Sequence, residues 1–172
     1  MNRNRILVTA AAVIVIVGVA IVAVPRLHAD THQANLTVQA SVSANCRLTG
    51  GTLNFGAYDP VVANVGTDLD NTGTFTVACT KSAANVWIGM DGGVNYSGGR
   101  RMQVGATGNY LSYELYKEAA RTNVWGNTQP TGVDYTPTSK APTTLTVYGR
   151  VPQNQDVAVG SYTDTVVMTV NF

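Results

Sequence analysis

Histidine is almost missing from this sequence. The 172-residue chain has two, His28 and His32, both close to its N-terminus. The body of the chain therefore offers no imidazole for a hydrolytic triad or a histidine metal site. Cysteine is limited to Cys46 and Cys79, which cannot close a zinc site without further ligands, and none lie near them in sequence. Charge is sparse as well: charged residues make up 12% of the chain, low for a soluble domain. There is no basic run for nucleic acid and no acidic tail. Asp68-x-Asp70-Asn71 is the nearest approach to a calcium loop, and it lacks the Gly and Glu of EF-hand spacing. Ser112 near Glu114, and Asp68 beside Asp70, read as strand or turn residues rather than catalytic ones. No enzymatic activity and no cofactor are expected.

The N-terminus is basic, with Arg3 and Arg5 ahead of an apolar run from Ile6 to Val24. A positive segment followed by an apolar one reads as a secretory signal. The run approaches the length of a membrane span, so retention as an anchor is the alternative. Leu27-His28-Ala29 and His32-Gln33-Ala34 are both imperfect cleavage sites, which leaves the cut open between Ala29 and Ala34. Processing would leave about 140 residues, the size of one domain. An exported chain with two cysteines is expected to join Cys46 to Cys79, the alternative being two buried thiols. Closing a loop of this length stabilises a fold by roughly 3–4 kcal/mol on the chain-entropy model.

The rest of the sequence is strands and turns. Thr72–Cys79 sets Phe75 and Val77 against Thr74 and Thr76. Tyr110–Lys117 sets Leu111, Tyr113 and Leu115 against Tyr110, Ser112, Glu114 and Tyr116. Thr52–Phe55, Val86–Met90 and Thr143–Val151 are further strand candidates, the last with Leu145 and Val147 inward. Asp91-Gly92-Gly93 and Ser97-Gly98-Gly99 mark turns. Seven or eight short strands without a helix predict an all-β sandwich or barrel. The two ends alternate most cleanly. Thr165–Phe172 places Val166, Met168, Val170 and Phe172 on one face, with Val167 the exception, and Asn35–Ser43 places Leu36, Val38, Ala40 and Val42 on one face. A domain with such a strand at each extremity can donate one of them to a neighbour.

Several fragments, taken in order, resemble the spore coat protein U domain family. They are Cys46 followed by Leu53-Asn54-Phe55-Gly56-Ala57-Tyr58-Asp59-Pro60, then Phe75-Thr76-Val77-Ala78-Cys79, Arg101-Met102 and Leu111-Ser112-Tyr113-Glu114-Leu115-Tyr116. The closing blocks, Leu145-Thr146-Val147-Tyr148-Gly149-Arg150-Val151-Pro152 and Gly160-Ser161-Tyr162-Thr163-Asp164, are the most specific. The resemblance runs from about Leu36 to Phe172. That family includes the pilins of the archaic (Csu-type) chaperone–usher pathway. The resemblance implies an incomplete immunoglobulin-like β-sandwich with an N-terminal donor strand. It also implies a periplasmic chaperone, an outer-membrane usher, and identical or related pilin subunits as partners. The implied layout is a signal peptide over 1–29, a donor segment over 35–43 and a spore coat U-like pilin domain over 44–172.

An incoming strand would repair an open sandwich by backbone hydrogen bonding and by seating alternate side chains in its groove. Leu36, Val38, Ala40 and Val42 are the expected pocket-filling residues. Val166, Met168, Val170 and Phe172 are the expected groove edge. Burying the first four would contribute roughly 5–8 kcal/mol before the cost of ordering a free segment. The expected function is a structural subunit of a surface fibre, exported through the periplasm, supporting adhesion or biofilm formation. Its single domain suits a shaft or adaptor position. The alternatives are a secreted coat or matrix protein with the same sandwich and no ordered polymerisation, and a carbohydrate-binding module.

Overall fold

The computed structural model describes residues 28–172. The basic N-terminus and the apolar run on which the leader expectation rests lie outside the described residues. Among the described residues, no helix is long and apolar enough to cross a membrane. The chain divides into two compact units, Met1–Gln39 and Ala40–Phe172. In the first, residues 28–39 are exposed and belong to no strand or helix.

The second unit is built from strands. They are β1 (Cys46–Thr49), β2 (Leu69–Cys79), β3 (Trp87–Met90), β4 (Arg101–Val104) and β5 (Tyr110–Ser112). After these come β6 (Glu114–Tyr116), β7 (Val133–Asp134), β8 (Thr143–Val151), β9 (Tyr162–Thr163) and β10 (Met168–Asn171). Three antiparallel sheets result, in the orders β1-β2-β8-β6, β10-β3-β7 and β5-β4-β9. The longest ladder joins β2 to β8, from Leu69 opposite Val151 to Val77 opposite Thr143. Threonine is the commonest residue in both strands, a type that fits a pleated, half-buried surface. Their inward side chains, Phe75, Val77, Val147 and Val151, meet Ile88 and Met90 of the second sheet and Leu111 of the third in one buried cluster. This is the all-β sandwich that the alternation predicts, in the immunoglobulin-like form that the family resemblance implies.

Tyr110–Lys117 departs from a single strand. The chain switches sheets at Tyr113, whose N–H donates to the Arg100 carbonyl at 3.0 Å. β5 pairs with β4, whereas β6 pairs with β8. Leu111, Tyr113 and Leu115 all stay buried across the switch, so the predicted alternation survives the break.

Arg100 is buried, 5% exposed, and its guanidinium is fully occupied. Nε donates to the Asp91 carbonyl at 2.9 Å, and Nη2 donates to those of Met90 at 2.9 Å and Trp125 at 2.8 Å. Nη1 pairs with the Glu114 carboxylate. One side chain thus satisfies carbonyls where β3 ends and ties them to β6. A buried arginine is tolerated only when its charge and donors are met in this way. Trp125, 1% exposed, secures the same corner by donating its indole N–H to the Ile88 carbonyl at 2.8 Å.

Cys46 and Cys79 stand opposite each other in the β1–β2 register and are joined by a disulfide. The bridge pins β1, a four-residue strand, to the long β2. Its sequence separation is 33 residues. Replacing both cysteines by serine is expected to lower stability by about 3–4 kcal/mol, read as a shifted denaturation midpoint. Non-reducing mass spectrometry of the native protein should find no free thiol.

Asp70 and Arg150 are also cross-strand partners, joined by two hydrogen bonds of 2.8 Å. The guanidinium holds the Asp70 carboxyl below the usual carboxylate range, and nearby Arg121 adds to the effect against a partial desolvation cost. A carboxyl lowered in the folded state stabilises above its unfolded value and loses that contribution as pH falls through the folded one. Wild type should therefore lose more stability than Asp70→Asn as pH drops below about 4. Parallel denaturation curves across the acid range would check it, and identical pH slopes would contradict it.

Candidate functional site: an open groove beside the C-terminal strand

Among the described strands, β1 pairs only with β2, and β10 pairs only with β3. The residues before β10 continue its bonding on that same side. Asp91 N–H donates to the Val167 carbonyl and Val94 N–H to the Thr165 carbonyl, each at 3.1 Å. Val167 N–H donates to Asp91 Oδ1 at 2.9 Å. The opposite edge of this segment carries no ladder among the described strands. β1 and β10 touch without pairing.

On the β10 side lies a cavity of about 530 Å3, which no residue of β1 lines. Phe75, Leu115 and Val147 form its floor, residues 51–55 one wall, and residues 162–166 with Met168 the other. A second cavity of about 540 Å3 shares Leu53, Phe55, Met102 and Tyr162 with the first and extends to Tyr58 and Val157. The two form a groove interrupted by the segment from Gly51 to Phe55.

That segment is seated by glycine. Gly73 and Gly149 lie on the inward face of β2 and β8. A Cβ on Gly73 would stand 2.8 Å from Leu53 Cβ, and one on Gly149 would stand 2.7 Å from Phe55 Cζ. Two notches in the sheet therefore receive Leu53 and Phe55. The alternation expected for Thr52–Phe55 is present, with Leu53 and Phe55 half-buried and Thr52 and Asn54 exposed. The expected strand is not: the segment joins no ladder. Its backbone is anchored by a side chain instead, Asn71 Nδ2 donating to the Asn54 carbonyl at 2.6 Å. Phe55 also packs on Tyr113, ring centroids 6.0 Å apart.

The far wall carries one fixed polar group. Asp164 Oδ2 accepts from the Tyr113 hydroxyl at 2.7 Å, and Oδ1 accepts from Asn95 N–H and Nδ2 at 3.2 and 3.1 Å. Burial, reinforced by this bond to a carboxylate, pushes the Tyr113 phenol well up, so it remains a proton donor. Gly93 makes the approach possible. Its φ is 84°, and a Cβ there would lie 2.0 Å from Asp164 Oδ2. The groove thus offers apolar pockets, the unpaired edge of β10 and a rim already satisfied internally.

The structure sorts the residues singled out from sequence. Val166 and Met168 line the first cavity. Val170 packs against the core beyond it, and Phe172 is half-exposed. Val167, the exception to the alternation, points outward. Leu36, Val38 and Val42 are 88%, 83% and 84% exposed, Ala40 is exposed, and the 35–43 segment forms no ladder among the described residues. Asp68 and Asp70 pair with Arg150, and Glu114 with Arg100. Sequence reasoning assigned no groove role to Leu53, Phe55, Met102 or Tyr162. The Leu53/Phe55 alternation was a usable signal for two of them, and the inward glycines at 73 and 149 marked where they would rest.

This is an immunoglobulin-like sandwich with an open groove along its C-terminal strand. The model of the Spore Coat Protein U domain matches residues 32–169, and the chain belongs to that family. It is 42% identical over 166 residues to Protein U of Myxococcus xanthus, covering 88% of this chain and 91% of that one. Among solved structures it is similar in fold to a chain of the CsuC–CsuE chaperone–tip adhesion subunit complex from the archaic chaperone–usher Csu pili of Acinetobacter baumannii. There the TM-score is 0.53 at 18% identity, over 76% of this chain and 40% of that one. A weaker likeness, TM-score 0.41 at 18% identity, links it to the P pilus adaptor subunit PapF, over 74% of this chain and 94% of that one.

Gly149→Ala should displace Phe55 and Leu53 from their notches at a cost of about 1–3 kcal/mol. Gly66→Ala, whose Cβ would meet only Gln153 Oε1 at 3.9 Å, should stay within about 0.5 kcal/mol of wild type. Urea denaturation of the pair reads the difference, and equal midpoints would contradict the seating of the segment.

Proposed function

We propose that this chain is a structural subunit of a surface fibre, assembled by donor-strand exchange and supporting adhesion or biofilm formation. The observation that carries the reading is an apolar groove bordered by β10, in a sandwich whose strands β1 and β10 each leave one edge without a ladder among the described strands. Such edges are costly to leave open and are readily completed by an added strand. The proposed donor is Asn35–Ser43 of another copy, or the equivalent segment of a related subunit, with Leu36, Val38, Ala40 and Val42 entering the groove. Val166 and Met168 contribute to the wall that receives them. Before assembly a periplasmic chaperone supplies the strand, and an outer-membrane usher is the site of exchange. The route is export through the periplasm, with the N-terminal apolar run acting as a signal peptide. The reading gives the chain no catalytic role.

A second reading is favoured by the 42% identity to Protein U and by the family's own description. In it the same domain serves a coat or extracellular matrix without ordered polymerisation.

Register separates the two. A one-residue slip exchanges the two faces of a strand, so inward and outward substitutions should behave differently. Val38→Asp and Val42→Asp would bury an unpaired charge, a penalty of several kcal/mol. They should abolish fibres while leaving secretion and chaperone capture intact, because the chaperone provides its own strand. Thr37→Asp and Gln39→Asp should be far milder. Fibre yield by electron microscopy, or by shear release and blotting, is the measurement. Equal yields for the four variants would remove the basis of the donor assignment, and coat or matrix incorporation without any fibre would favour the second reading.

A further inference from the structure

The segment between the leader and the domain has a chemistry of its own. Ala29 supplies the small residue that ends a cleavage site. The family match begins at His32, so a cut after Ala29 leaves the matched region whole, whereas a cut after Ala34 removes its first residues. A chain processed after Ala29 begins Asp30-Thr31-His32. All three residues are exposed and outside any strand or helix among the described residues.

We propose that this N-terminus is a square-planar binding site for Cu(II) or Ni(II). Its four donors are the α-amine of Asp30, the backbone amide nitrogens of Thr31 and His32, and Nδ1 of His32. Histidine at the third position is the spacing that lets one imidazole close a planar ring of nitrogens with the terminus. Thr31 is not proline, so both amides have a proton to give up. On binding, the ammonium and each of the two amides lose one proton to solvent, and the imidazole binds in its neutral form. Four nitrogens in a plane select Cu(II) and Ni(II), with copper the tighter by the general order of divalent affinities. Zn(II) has no electronic preference for a plane and favours a tetrahedron. An exposed segment committed to no strand can wrap a small ion without breaking a ladder.

Two points keep the assignment clean. The inference rests on the proposed leader being cut after Ala29, which removes His28 and makes His32 the sole histidine of the processed chain. Among the described residues, no group of three or more His, Cys, Asp and Glu side chains could hold a metal ion. The site lies ahead of Asn35 and does not require the groove to be filled by a donor strand.

The experiment uses the exported protein purified from its producing cells. Intact mass spectrometry fixes the N-terminus, and CuCl2 is then titrated with visible absorption and electron paramagnetic resonance as readouts. The expected result is a chain starting at Asp30 that takes up a single copper equivalent with a four-nitrogen planar signature, releases protons, and keeps its copper against excess zinc. His32→Ala should lose that signature. Insertion of one alanine between Asp30 and Thr31, which keeps the residues around the cut and moves the imidazole to the fourth position, should lose it too. Unchanged thermal melting in both variants would show that the fold is intact. A mature N-terminus other than Asp30, or the planar signature persisting in either variant, would overturn the proposal.

Discussion

The β2–β8 ladder is the constraint on which the rest of the molecule depends. Its register, Leu69 opposite Val151 through Val77 opposite Thr143, decides which side chains face inward and therefore where the core lies. Phe75 and Val147 from this pair become the groove floor. Asp70 and Arg150 meet on its outer face because the same register sets them opposite each other. Gly73 and Gly149 fall on its inner face, where their missing side chains make room for Leu53 and Phe55. A slip of one residue would turn Phe75, Val77 and Val147 toward solvent and Thr74 and Thr76 into the core, so the register is strongly held.

β1 depends on that ladder at second hand. Four residues pair it to β2 along one edge only, which is little to hold a strand whose other edge is open. The disulfide compensates by fixing Cys46 to Cys79 at the end of β2. Thr80, the next residue, extends the clamp: its N–H donates to the Asn45 carbonyl at 2.8 Å, and its hydroxyl accepts from Asn45 N–H at 3.1 Å. One wall of the sandwich is thereby held in place without a neighbouring strand on its free side.

Much of the fold was legible in the sequence because alternation records burial directly. Phe75, Val77, Leu111, Tyr113, Leu115 and Val147 were all assigned inward, and all are buried. The pairing of Cys46 with Cys79 followed from there being only two cysteines in a chain read as exported. What alternation cannot record is which backbone a strand pairs with. Thr52–Phe55 has the right pattern but joins no ladder, seated instead by its inward side chains and by the Asn71 bond to the Asn54 carbonyl. Tyr110–Lys117 keeps its pattern through a change of sheet, because the side chains stay inward while the backbone partners change. Arg100 was opaque for a different reason. The first of two arginines after Gly98-Gly99 looks like any turn residue, and only the convergence of the Met90, Asp91 and Trp125 carbonyls shows why it is buried.

The clamp at Asn45 also bears on why a donor segment of this chain would serve a second copy rather than fold back on its own β1. Only Ala44 and Asn45 separate Ser43 from Cys46. A two-residue reversal needs positive φ at one or both central positions, which Gly and Asn accept and Ala resists. Neither Ala44 nor Asn45 has positive φ, and both backbone groups of Asn45 are already committed to Thr80. Folding back would have to break those bonds and strain Ala44 before gaining any ladder. An equivalent segment from another molecule carries no such penalty. On the donor-strand reading, the short connection and the Thr80 clamp oppose self-completion, and polymerisation follows from a geometric restriction on the chain's own first strand.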